Sequence, residues 1–126
     1  MGSSEVFALL PGFPDNVRRN SKGNFWVALH CRRNLPTSLA LSYPWLRWVL
    51  FKLPISIKQL YYVFIGGTKH AIAIHLDEDG KILEVLEDQE GSTVKLISEV
   101  EERNGLLWMG SVMVPSVTLY ALDNKL

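Results

Sequence analysis

Three tight-turn signals, each followed by an apolar strand-like run, constrain this chain more than any other feature. Asn20-Ser-Lys-Gly23 precedes FWVALH, Asp77-Glu-Asp-Gly80 separates two apolar runs, and Arg103-Asn104-Gly105 precedes LLWMG. Gly, Asn and Asp at such points supply the backbone conformations that reverse a strand. The runs between them alternate with period two. Phe25, Val27 and Leu29 point one way and Trp26 and Ala28 the other. Ala71, Ala73 and His75 oppose Ile72, Ile74 and Leu76. Both sets of the first strand are apolar, so that strand is predicted to be buried on both faces.

Strands are predicted at residues 5–10, 16–19, 24–29, 70–76, 81–86, 94–100, 106–109 and 117–122. Pro11-Gly12 stops the first, and Pro14 holds Phe13 extended. Residues 87–90 read as a solvated acidic loop. Gly66-Gly67 lacks the wider spacing and the lysine of a phosphate loop. Residues 35–65 differ from the rest. Thr37 or Ser38 can cap a helix that runs through Trp45, Trp48 and Val49, with Leu46, Val49, Leu50 and Leu53 as its apolar stripe. Pro44 falls near its start or kinks it, and Pro54 ends it or opens a second piece holding Ile57, Leu60 and Tyr61. Two readings stand for this segment. It is an insertion packed over a sheet, or an amphipathic lid or membrane-surface element spanning residues 38–58, basic and bearing two tryptophans.

A turn glycine, an aromatic strand, a small residue and a polar one recur in KGNFWVALH and NGLLWMGS. Such a repeat of four-stranded meanders is the mark of β-propeller blades. The fold class is therefore all-β, a partial propeller of about one complete blade and most of another. The chain of 126 residues has material for fewer blades than the roughly four a closed propeller needs. It is a piece of something longer, or it assembles with other copies through exposed blade edges.

Net charge is zero, which gives no support to nucleic-acid binding. The zero conceals an asymmetry: residues 1–69 hold nine Lys/Arg and two Asp/Glu, residues 70–126 four and eleven. The single cysteine, Cys31, excludes an internal disulfide and reads as a buried thiol beside Arg32 and Arg33. No secretory leader or membrane span is legible. Two candidate sites follow from residue chemistry. Asp15 and Asn16 place adjacent oxygen donors at the entry to a strand, suited to a hard cation such as calcium or to turn formation. His30 ends a strand, where an imidazole can act as a base or bond a neighbouring carbonyl.

The stretch LPGFPDNVRRNSKGNFWVALHCRR resembles the strictosidine synthase-like family of plants, related to adipocyte plasma membrane-associated protein and to paraoxonases. HLDEDGKILEVLED and the spacing E-x-x-x-G-L-L-W-x-G-S from Glu101 to Ser111 extend the resemblance over almost the whole chain. It implies the carboxy-terminal part of a six-bladed propeller, with residues 35–65 as a helical insertion. It also implies a central calcium with Asp15 and Asn16 among its ligands, and a role for His30 at the channel mouth. The family's founding enzyme condenses tryptamine with secologanin through a glutamate, and alignment on Gly105-Leu106-Leu107 puts Ser98 at that position. A serine cannot take the proton, so ester or lactone hydrolysis is the expected chemistry of the intact relative. This chain alone is expected to be inactive and to hold no calcium tightly. A non-catalytic truncated propeller or binding module is the alternative. By the same resemblance the compartment is the vacuole, endoplasmic reticulum or secretory pathway, and the substrate is an unspecified small molecule.

Overall fold

A computed structural model describes residues 2–64 and 70–122. The Gly66-Gly67 break and the end of the inserted segment lie outside the described residues. Two antiparallel sheets and three helices make up the described residues. Sheet A has the order β1(Gly12–Arg19), β2(Phe25–Arg32), β3(Ala71–Leu76), β4(Ile82–Asp88). Sheet B has the order β5(Glu99–Arg103), β6(Leu106–Gly110), β7(Thr118–Ala121). Within each sheet, strands consecutive in sequence lie side by side, as in a meander. The three helices, α1(Leu35–Ser42), α2(Pro44–Lys52) and α3(Ile57–Phe64), lie between β2 and β3. One four-stranded and one three-stranded meander are consistent with part of a propeller-like domain. The described residues close no ring.

The alternation seen in the sequence sets the layers. Trp26, Ala28, Ala71 and Ala73 of sheet A pack with Val100, Leu107 and Met109 of sheet B and with Ile97 in one buried cluster. Val27, Leu29, Ile72, Ile74 and Leu76 form a second cluster on the opposite face of sheet A. Ala8 and Leu10 pack against that face. Residues 5–10 therefore cover a sheet, as a strand would, but they have no regular structure. Pro11 follows them directly, and Phe7 meets Phe25 edge to face at a ring separation of 5.6 Å.

The loops joining β1 to β2 and β3 to β4 share one design. Asn20 Oδ1 accepts from the backbone N–H of Lys22 and Asn24 at 3.0 and 2.9 Å. Asp77 Oδ1 accepts in the same way from Asp79 and Lys81 at 3.0 and 2.8 Å. Gly23 and Gly80 close the two loops at φ +93° and +82°, a conformation that side chains rarely adopt. The β5–β6 hairpin turns on Asn104-Gly105 with both residues at positive φ, the type I′ geometry that such a pair favours.

Four local expectations change. The cap of α1 is Asn34 rather than Thr37 or Ser38: its Oδ1 accepts from the Thr37 N–H at 2.9 Å. A break at Tyr43 divides the expected helix into α1 and α2, with Pro44 at the start of α2 as one of its two readings had it. Residues 94–98 are not strand. Leu96 has φ +46°, and the Asp88 carboxylate draws in the N–H groups of Ser92, Thr93 and Val94 at 3.2, 2.8 and 3.0 Å. Those donors are then unavailable for a ladder. Residues 87 and 88 accordingly end β4 rather than forming a solvated loop.

The same backbone hydrogen bonds, led by Val94 and Thr93, lower the Asp88 pKa to about 2. A carboxylate whose pKa is lower in the folded than in the unfolded state stabilises the fold above the unfolded value. It loses that contribution as pH falls through the folded value. Stability should therefore drop between about pH 4 and pH 2. Solvent screening holds the effect to about 1 kcal/mol. Urea unfolding across that range should show the slope in the native chain and a flatter one in Asp88→Ala.

Candidate functional site

Asp15 and Asn16 lie in an irregularity of β1. Phe13 pairs with Cys31, Pro14 with Leu29 and Val17 with Val27, so the register slips on both sides of Pro14. Proline has no N–H to give to the ladder, and the two residues after it bulge out of the pairing. Bulges of this kind re-aim side chains. Asn16 Nδ2 donates to the Ser98 carbonyl at 3.1 Å, joining the bulge to the segment before β5. Two residues further on, Arg18 forms an ion pair with Glu99, the first residue of β5. Asp15 is exposed.

His30 stands on β2 between Leu29 and Cys31, whose partners are Pro14 and Phe13. It is therefore level with the start of the bulge. The imidazole is half-buried. Its Nε2 lies 2.9 Å from the Tyr61 hydroxyl of α3. Tyr61 has no signal in the sequence, because 31 residues separate the pair and helical spacing assigned it only to an apolar stripe. Ser98 is buried, and its backbone N–H donates to the Gly110 carbonyl at 2.9 Å.

The structure thus brings Asn16 and Ser98 together and sets His30 at the neighbouring level of the sheet. It links Asp15 to nothing among the described residues. As a calcium site the donor set fits in kind and falls short in number. Asp15 supplies a carboxylate, and Asn16 keeps Oδ1 while its Nδ2 is engaged. Calcium takes six to eight oxygens. Among the described residues, no cluster of three or more His, Cys, Asp or Glu side chains could hold a metal.

The flanking residues are occupied. Cys31 is buried, and desolvation raises its pKa, which makes it a poor nucleophile. Arg32 pairs with Glu87 at 2.5 Å, and the same carboxylate lies 3.7 Å from His70 Nδ1. Arg32 is thus an internal partner of β4. A cleft of about 570 Å³ opens between the sheets, lined by Ala71, Leu86, Asp88, Ile97, Met109 and Tyr120 among others. It includes none of Asp15, Asn16 and His30.

No family model matches the chain. Individual proteins do. The chain is 56% identical over 121 residues to Protein STRICTOSIDINE SYNTHASE-LIKE 10 of Arabidopsis thaliana, covering 96% of this chain and 32% of that protein. It is 54% identical over 121 residues to Protein STRICTOSIDINE SYNTHASE-LIKE 3 of the same plant, with 96% and 31% covered. Bovine adipocyte plasma membrane-associated protein is 34% identical over 119 residues, with 90% and 28% covered. The chain spans about a third of the length of these curated relatives. Over nearly all of its residues the chain is homologous to the strictosidine synthase-like proteins, and it corresponds to about one third of such a protein.

Proposed function

We propose that the chain is the carboxy-terminal part of a strictosidine synthase-like six-bladed propeller whose intact form hydrolyses a small ester or lactone. One observation carries the proposal: the bulge that presents Asp15 and Asn16 abuts Ser98 through the Asn16 amide, with His30 beside it on β2. In this reading Asp15 and Asn16 contribute two ligands to a calcium ion shared with other blades. When bound, such an ion polarises a carbonyl. His30, oriented by the Tyr61 hydroxyl, takes or relays a proton. A serine at position 98 supports hydrolysis over condensation, because no carboxylate stands there to accept the proton of an iminium-forming amine.

A second reading is favoured by the outer face of sheet B. Trp108 and Leu119, paired across β6 and β7, are 43% and 52% exposed. Their position invites another sheet, so the chain would act as a non-catalytic partial propeller that pairs with further copies.

Calorimetric calcium titration of the full-length propeller that contains this chain, with Asp15→Asn as control, separates the readings. The first expects micromolar binding that the variant loses. It also expects ester or lactone hydrolysis that His30→Ala lowers by about 10²-fold or more. A folded sample that binds no calcium leaves Asp15 and Asn16 as turn residues and gives the lead to the second reading.

A further inference from the structure

The three helices carry Arg47, Lys52 and Lys58 and no carboxylate, and no acidic residue occurs between Asp15 and Asp77. Little of this unit is buried. Ala40 is the one buried residue of the three helices. Trp45 and Trp48 are 64% and 62% exposed, and Phe51, Ile57 and Tyr62 are exposed as well. On α2, residues 45, 48, 49 and 52 recur at helical spacing, so Trp45, Trp48, Val49 and Lys52 share one face. Leu50 lies on the other side of α2, lining an apolar cleft with Ala40, Leu60 and Phe64. That cleft consumes the inward surface of the helices and leaves the tryptophan face without a partner among the described residues. Lys52 Nζ sits over the Trp48 ring, 3.6 Å from its centre.

Scattered exposed apolar residues are ordinary. A contiguous aromatic face with only cationic charge around it is not. Tryptophan and tyrosine are amphipathic rings suited to the headgroup level of a bilayer, and lysine and arginine stems cover apolar surface while their heads stay in water. No helix among the described residues is long and apolar enough to cross a membrane, so these short helices can only lie along one. A second copy docked on the same face through a two-fold axis would set cation against cation. We infer that α2 and α3 dock on the surface of an anionic lipid bilayer, with Trp45 and Trp48 entering the headgroup region and Lys52 and Lys58 meeting lipid phosphates or carboxylates.

The test is flotation of the purified chain with vesicles of phosphatidylcholine alone or mixed with phosphatidylserine, with tryptophan emission followed in parallel. Binding to the mixed vesicles, a blue shift, and weakening with added salt are expected. Lys52→Gln and Lys58→Gln should each weaken binding about fivefold. Trp45→Ser combined with Trp48→Ser should abolish binding while circular dichroism shows the fold retained, since both side chains are already exposed. Equal binding to neutral vesicles, no binding by the folded chain, or binding that survives the double tryptophan variant would each overturn the inference. A dimer that the same variant splits would also overturn it, because the face would then belong to a second copy.

Discussion

Trp26→Ala is expected to lower the unfolding free energy by about 3–5 kcal/mol, and Trp108→Ala by less than about 1 kcal/mol. Urea titration of both variants checks the contrast. The two tryptophans occupy matching positions, each three residues after the turn glycine of its hairpin. Their surroundings differ. Trp26 is fully buried, stacks on His75 at a ring separation of 4.4 Å and packs against sheet B. Trp108 belongs to the face of sheet B that nothing in the described chain covers. Truncating Trp26 removes a large apolar surface, leaves a void and breaks a hydrogen bond. Truncating Trp108 removes a half-solvated ring. Near-equal losses would mean that the outer face of sheet B is covered in solution, as in the self-pairing reading.

The second large effect is predicted at Glu102. Its Oε2 accepts from Trp26 Nε1 at 2.7 Å and from Asn20 Nδ2 at 2.8 Å. One carboxylate of sheet B therefore ties down both the buried indole and the β1–β2 loop of sheet A. Desolvation pushes the Glu102 pKa up, but the hydrogen bonds from Asn20 and Trp26 and the positive charge of Lys22 and His75 outweigh it, and the net direction is down. The carboxylate thus stabilises the fold above its unfolded pKa, and the contribution fades on acidification below that value. Glu102→Ala is expected to cost about 2–3 kcal/mol, since it strands two donors. Glu102→Gln should cost less, because it keeps an acceptor oxygen. Equal stabilities of Glu102→Ala and the native chain near neutral pH would sink this account. A double-mutant cycle with Trp26→Phe measures the coupling between the sheets directly.

Much of the sheet structure was legible because it depends on local rules. Alternation assigned Trp26 and Ala28 to one face and Val27 and Leu29 to the other, and the structure places them in separate clusters. The turn residues likewise marked all three hairpins. What the sequence hid depends on distant partners. Residues 94–98 have a strand-like composition, yet Asp88 takes the Val94 donor and Leu96 turns to positive φ. Residues 5–10 look like a strand but cover a sheet without pairing into one. Leu46, Val49, Leu50 and Leu53 mark helical spacing, but Val49 and Leu53 are exposed, because the helices gather around each other rather than over a sheet. At the candidate site, the residue types were visible and their placement was not. Nothing near Asn16 announces Ser98, 82 residues away, or near His30 announces Tyr61.

Asn34 has a consequence for chain topology. While its Oδ1 caps α1, its Nδ2 donates to the Phe64 carbonyl at 2.8 Å, and the Thr37 hydroxyl donates to the same carbonyl at 2.7 Å. The first residue of the helical unit thus holds the last one. The ends of a thirty-residue excursion meet at one point, beside two strands that are already paired through Leu29 and Ile72. A loop whose ends are pinned together places little strain on the sheet beneath it, and loop-closure entropy grows only slowly with length. The helical unit is therefore an interchangeable part. A change in its length or surface chemistry is expected to leave the register of β2 and β3 intact.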